Sequence, residues 1–336
     1  MRREATLIAT ALLVAMAAGS ILILIYGQSP ARVYVALFSR TWGSTYGIGQ
    51  VLFKSTPLIF TGLAVAIAFR CGLFNIGAEG QLAAGAFATG LVAASVHAPA
   101  VIAVPVAMIA GACAGGVIGA IPGALRAFTG AHEVINTIML NFIVAALILW
   151  AGGEGAFASG TTHTALIDLR AAIPDLGIEG SAANVSILIA LAAAVAVWFV
   201  LGRTRRGFEL CAVGENPAAA ENAGISVRAM TIWAMTLSGA IAGLVGTSTV
   251  LGYKHYFEEG MGRGTGFMGI AVALLGRNHP LGVVAAALVF GTLSHGGIAV
   301  SGICPKEIVD VLEAVIILAL AVGAAAGHLD KKRKRA

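Results

Sequence analysis

Val101-Ile-Ala-Val-Pro-Val-Ala-Met-Ile-Ala-Gly111-Ala-Cys-Ala-Gly115-Gly-Val-Ile-Gly119-Ala-Ile-Pro-Gly123-Ala-Leu125 carries no charged or amide side chain from end to end. At 1.5 Å per residue, a helix of that length crosses a hydrocarbon core of roughly 30 Å. Gly111, Gly115, Gly119 and Gly123 recur at strict four-residue spacing. One face of the helix therefore has no side chains and admits a neighbouring backbone. Gly239 and Gly243 repeat the device farther on. A chain in lipid must satisfy its backbone internally, and continuous apolar runs, unlike alternating ten-residue segments, read as helices. The stretch points to an all-α, polytopic integral membrane protein.

The rest of the chain agrees. It is 58% hydrophobic and 11% charged, with a mean hydropathy of +0.91. An ordinary soluble domain has about a quarter of its residues charged, which excludes a soluble enzyme. Breaks at Gly, Pro and charges leave ten candidate spans, centred near residues 16, 58, 84, 112, 142, 193, 241, 271, 290 and 317. The count could be as low as eight. The member near 271 is short and reads as a half-helix, so 267–300 is open to a re-entrant arrangement.

With both termini in the cytoplasm, the inner segments collect Arg2, Arg3, Arg70, Arg126, Arg203, Arg205, Arg206, Arg228, Arg277 and the tail from Lys331 to Arg335. The outer segments collect only Arg32, Arg40, Arg170, Lys254, Arg263 and Lys306. That bias is the one the positive-inside rule requires. Met-Arg-Arg followed by an apolar run to Ile25 resembles a signal peptide, but the run is longer than a typical apolar signal core and reads as an uncleaved first span. The tail, 327–336, reads as a polybasic stop at an anionic leaflet, not a nucleic-acid patch. Residues 1–336 form one transmembrane domain on this reading.

Cys71, Cys113, Cys211 and Cys304 have no metal or redox spacing, so no metal site is expected. Gly260, Gly262, Gly264 and Gly266 alternate, but they follow no strand and open no nucleotide-binding unit, so they read as a flexible connector.

Polar side chains inside spans are costly and are functional candidates by default. One cluster is Phe74-Asn75-Ile76-Gly77-Ala78-Glu79-Gly80-Gln81, in which the spacing puts Asn75 and Glu79 on one helix face. The other is His132-Glu133-Val134-Ile135-Asn136-Thr137 continuing to Asn141, with Glu133, Thr137 and Asn141 forming a polar stripe. Asn75, Glu79, Gln81, Glu133, Asn136, Thr137 and Asn141 are the candidate pathway residues. The plainer alternative is that they bond other helices near the cytoplasmic ends.

The longest inner polar segment, 202–230, contains Gly214-Glu215-Asn216-Pro217-Ala218-Ala219-Ala220 through Gly224-Ile225. Asn216 as cap, Pro217 at the first position and Gly224 as stop predict a short surface helix. This stretch resembles the coupling segment of bacterial ABC importer permeases, the group of simple-sugar, branched-chain amino-acid and nucleoside permeases. The Asn75 cluster and Glu133 to Phe142 resemble the nucleoside branch in particular. Gly130-Ala131-His132-Glu133 keeps the frame of that branch but departs from it at His132. The resemblance runs over roughly 45–325.

The resemblance implies a transport subunit that is not itself an enzyme. It implies that Gly214, Glu215, Asn216, Pro217, Ala219, Ala220 and Gly224 dock on a separate ABC ATPase. It also implies a second permease, as homodimer or heterodimer, and an extracytoplasmic binding protein, in a bacterial inner membrane. ATP and magnesium would sit on the ATPase. The chain agrees, since its nearest approach to a phosphate loop, Gly49 to Lys54-Ser55, has Phe53 where glycine is required. Nucleosides or related purines lead as substrate, with simple sugars as the alternative. Two rivals differ in class. A secondary transporter would not need the short helix. An intramembrane enzyme would rest on Ser294-His295, neighbours that do not face each other on a helix.

Overall fold

The computed structural model describes residues 2–333, with side chains for residues 10 and 13–319. The side chains of Arg2, Arg3 and the basic tail, and residues 334–336 altogether, lie outside the described residues. Helices run α1 Arg2–Ile25, α2 Pro30–Trp42, α3 Thr45–Arg70, α4 Ala78–Ser95, α5 Ala100–Thr129, α6 Glu133–Ala151 and α7 Ser186–Arg203. They continue with α8 Arg205–Glu215, α9 Pro217–Asn222, α10 Val227–Gly243, α11 Thr265–Leu275, α12 Pro280–Ala299 and α13 Lys306–Arg333. π-Helical stretches extend α6 over Gly152–Ala156 and follow α10 over Thr247–Lys254.

Among the described residues, six helices are long and apolar enough to cross a membrane: α3, α5, α7, α12, α6 with its extension, and α10 continued to Lys254. A seventh arises if α1 and α2, bent by 116° at their junction, form one broken span. This is a multi-pass, all-helical membrane chain with fewer self-evident spans than the ten expected. Glu79 and Gln81 interrupt the first turns of α4, and α11 has only 11 residues. At roughly 16 Å, α11 reaches about halfway across a bilayer core. It is short and apolar, as the sequence indicated.

The chain packs as two compact units, with boundaries inside α3 and α12. The first comprises Met1–Ser55, Glu179–Ser181 and Leu288–Ala336. There α1 packs along α13, and Ile23, Val33, Leu37, Val300, Cys304 and Val309 form a core. Arg40 donates to the carbonyl of Ala299 at the C-terminal end of α12, and the Trp42 indole donates to Thr292 Oγ1 at 3.2 Å.

The second unit comprises Thr56–Ile178 and Ala182–Ala287. Its spine is α5 against α10. A Cβ on Gly115 would meet the Gly239 carbonyl, and one on Gly119 the Met235 carbonyl, so the glycine stripe lets two backbones touch. Gly85 brings α4 against Gly243 in the same way. At one end of α7 and α10, the connection after α6 lies on the chain after α10: Thr164 N–H donates to Phe257 O and Ile167 N–H to His255 O, both at 2.8 Å. Phe87, Phe157 and Phe257 pack edge to face beneath it. At the opposite end, α8 and α9 join α7 to α10.

Candidate solute pathway and coupling segment

Asn75 is not on a helix. It sits in the turn before α4, because Gly77 caps a helix that starts only at Ala78. The expectation that Asn75 and Glu79 share a helix face is therefore corrected. The Asn75 side chain instead joins three elements. Its Nδ2 donates to Gln81 Oε1 and to Ser238 Oγ of α10, both at 2.8 Å, while its Oδ1 accepts from Gly77 N at 2.9 Å and from Gln81 Nε2 at 3.2 Å. The Ser238 hydroxyl in turn donates to the Ala64 carbonyl of α3 at 2.6 Å. Asn75, Gln81 and Ser238 are all buried, and such a network holds only when every member is satisfied.

Glu79 faces the other way. Its two carboxylate oxygens accept Gly264 N–H at 2.6 Å and Gly266 N–H at 2.8 Å. The first N–H groups of a helix have no partners within the helix, and a carboxylate there also meets the positive end of the helix dipole. Gly260, Gly262 and Gly264 all have positive φ, and Gly266 lets α11 lie against the backbone of Ala78 and Glu79. The alternating glycines thus form an ordered turn closed on Glu79, which corrects the reading of a loose connector. The tempting likeness to a phosphate loop had a physical basis, but the anion held is a side chain of the same protein.

The polar stripe of α6 is as the spacing required. Glu133 and Thr137 are buried, and Asn141 Oδ1 accepts Gly80 N–H at 2.9 Å while its Nδ2 donates to Ile76 O at 3.1 Å. Glu133 lies 3.5 Å from Arg126 across the turn joining α5 and α6. Among the described residues Asn136 Nδ2 is buried without a partner, and so are the hydroxyls of Thr247 and Ser248 in the π-helical stretch after α10. π-Helical turns gather at functional sites, and orphaned buried donors among membrane-capable helices are candidates for contact with a ligand. Neither these hydroxyls nor Ser238 has any sequence signature beyond being polar within a span. Asn184 supports the stretch by donating to Gly252 O at 2.9 Å.

The polar segment holds a second helix, α8 over Arg205–Glu215, ahead of the expected short one. Thr204 caps α8 by accepting Gly207 N–H at 3.1 Å. Asn216 then caps α9 by accepting Ala219 N–H at 3.1 Å, with Pro217 at its first position and Gly224 beyond it at φ +81°. Glu215, Asn216, Pro217, Ala219 and Gly224 are exposed, while Ala220 is buried and anchors the helix. A Cβ on Gly214 would strike the Arg70 carbonyl, so the end of α8 rests on the end of α3. Burial pushes the Cys71 thiol beside it up to about 12, which keeps it protonated.

A family model described as the permease component of branched-chain amino acid transport systems matches residues 47–321. This chain belongs to that permease family. The permease is 40% identical over 333 residues to the guanosine ABC transporter permease protein NupP of Bacillus subtilis, covering 97% of this chain and 95% of that one. It is 39% identical to the nucleoside ABC transporter permease protein NupB of Lactococcus lactis, with 90% and 87% covered. A glucose ABC transporter permease protein of Haloferax volcanii is 35% identical, with 92% and 84% covered. The permease is thus an ABC transport subunit. The secondary-transporter and intramembrane-enzyme alternatives are set aside.

Proposed function

We propose that this permease forms the membrane pathway of an ATP-driven importer for nucleosides or related purine compounds. The observation that carries the reading is the exposed, capped helix α9 joined through Gly214 to the end of α3. It has the form of a handle by which a partner moves a membrane span. Similarity to the guanosine and nucleoside permeases over nearly the whole chain supports the solute.

On this reading the chain is a single permease domain whose α1, α4, α13 and the segment holding α11 also cross, giving about ten crossings and cytoplasmic termini. Within the 202–230 segment, Gly214 to Gly224 face a separate ABC ATPase, which binds ATP and magnesium and hydrolyses the ATP. A second permease, of the same or a different sequence, completes the pore, and an extracytoplasmic binding protein delivers the solute. The complex lies in a bacterial inner membrane, its basic tail on the anionic leaflet. Closure of the ATPase dimer pushes α9, and the push passes through α8 to α3, α7 and α10. The likeness to the glucose permease favours a sugar importer as the second reading.

The test is uptake of labelled guanosine and adenosine by cells lacking this permease and by cells with it restored. Glucose and ribose serve as competitors and an uncoupler as control. Restored uptake that ignores the sugars and the uncoupler is the expected result. Uptake abolished by unlabelled sugar would transfer the solute to the second reading.

A further inference from the structure

At the end of the bundle where α7 gives way to α8, a cleft of about 470 Å³ opens among Arg205, Arg206, Glu209, Ala229, Met230 and Trp233. Its two cations are not equivalent. Arg205 pairs with Glu209 at 2.7 Å. Arg206 has no carboxylate partner among the described residues, and its guanidinium stands 6.0 Å over the Trp233 ring. An unpaired guanidinium is a planar fork of donors suited to two phosphate oxygens.

The surroundings are those of a membrane boundary. α7 and α10 are both membrane-capable, and the cleft lies where one ends and the other begins. Phe208, on the first turns of α8, is 69% exposed. Val195, Trp198 and Phe199 make an exposed apolar stripe on α7, the helix that ends just before Arg205. Glu215 to Gly224, which would meet the ATPase, lie beyond the opposite end of α8, roughly 16 Å away along a helix of 11 residues.

We propose that the Arg206–Trp233 cleft is a binding site for the phosphodiester headgroup of an acidic phospholipid, with the acyl chains along the Val195–Phe199 stripe. Charge complementarity selects the occupant. Arg206 supplies the cation, Trp233 the interfacial aromatic, and Glu209 is already neutralised by Arg205. The bound lipid fixes α8 against α7 and α10, so acidic lipid becomes a condition for coupling. The inference rests on the membrane placement of α7 and α10 and is independent of which solute is carried.

The transporter complex, purified and placed in nanodiscs of equal parts phosphatidylglycerol and phosphatidylcholine, is stripped with mild detergent. The lipid it retains is then identified by native mass spectrometry. Wild type retains phosphatidylglycerol in preference, and Arg206→Gln reduces that preference about fivefold, the effect of one basic group at an anionic surface. Arg206→Lys keeps most of it, which separates charge from folding. Inorganic phosphate does not displace the lipid. Equal retention by wild type and Arg206→Gln would overturn the proposal. So would displacement by inorganic phosphate, which marks a free-anion site. Loss of the ATPase subunit from Arg206→Gln with retained lipid unchanged would assign the cleft to that partner instead, and also overturns it.

Discussion

The Glu79 carboxylate, in the first turn of α4, accepts the Gly266 backbone N–H at 2.8 Å across 187 residues of chain. A half-helix that ends inside a membrane protein leaves N–H groups with no water to satisfy them, and Glu79 supplies the acceptor. Glu79→Ala should cost about 2 kcal/mol, the range of a hydrogen bond to a charged group, and lower the thermal midpoint of the purified complex. Glu79→Gln keeps one acceptor oxygen and should lose roughly half as much. If Glu79→Gln together with Asn141→Ala left uptake at the wild-type rate with normal expression, a pathway role for these residues would be abandoned.

Asn75 and Ser238 form one unit with Ala64 O. Each single alanine change leaves a buried partner unsatisfied and should cost about 1–3 kcal/mol. The double change should cost less than the sum of the two. Additive losses in denaturation of the purified permease would show that the two side chains are not coupled.

Gly214 carries the connection between α8 and α3, and Gly224 sits at φ +81°. Gly214→Val and Gly224→Val should separate ATP hydrolysis from uptake, so that reconstituted vesicles hydrolyse ATP with little solute transported. Glu215→Lys, at an exposed position, should weaken ATPase docking without changing the stability of the permease. Unchanged coupled transport in all three variants would defeat the transmission route.

The backbone approach of α5 to α10 leaves no room at Gly115. Gly115→Leu should therefore prevent stable assembly, with little full-length protein surviving mild detergent extraction. Gly153, which has nothing within 4 Å of its added Cβ, is the matched control, and Gly153→Ala should express normally.

Thr247 and Ser248 keep buried hydroxyls without partners. Thr247→Val and Ser248→Ala remove groups that bond nothing within the protein, so stability should be unchanged or rise slightly. If the hydroxyls meet the solute, the apparent affinity for guanosine in uptake should fall several-fold. Equal affinity in both variants would make them packing residues only.

The helical, membrane-spanning character of the chain was legible because hydropathy and glycine spacing are local properties. Val101–Leu125 declares both a span and its contact face. The Asn216-Pro217 opening of α9 and the polar stripe of α6 were legible for the same reason, since caps and four-residue periods involve near neighbours. Asn75 was misplaced because a turn closed by Gly77 reads like one more helical residue until its partners in α4 and α10 are known. That Glu79 would serve α11, that Gly214 would rest on Arg70, and that Arg206 would stand over Trp233 without a counter-charge were decided only by tertiary structure. Each depends on residues far apart in the chain, and no local pattern encodes which distant backbone group a carboxylate, a glycine or a guanidinium will meet.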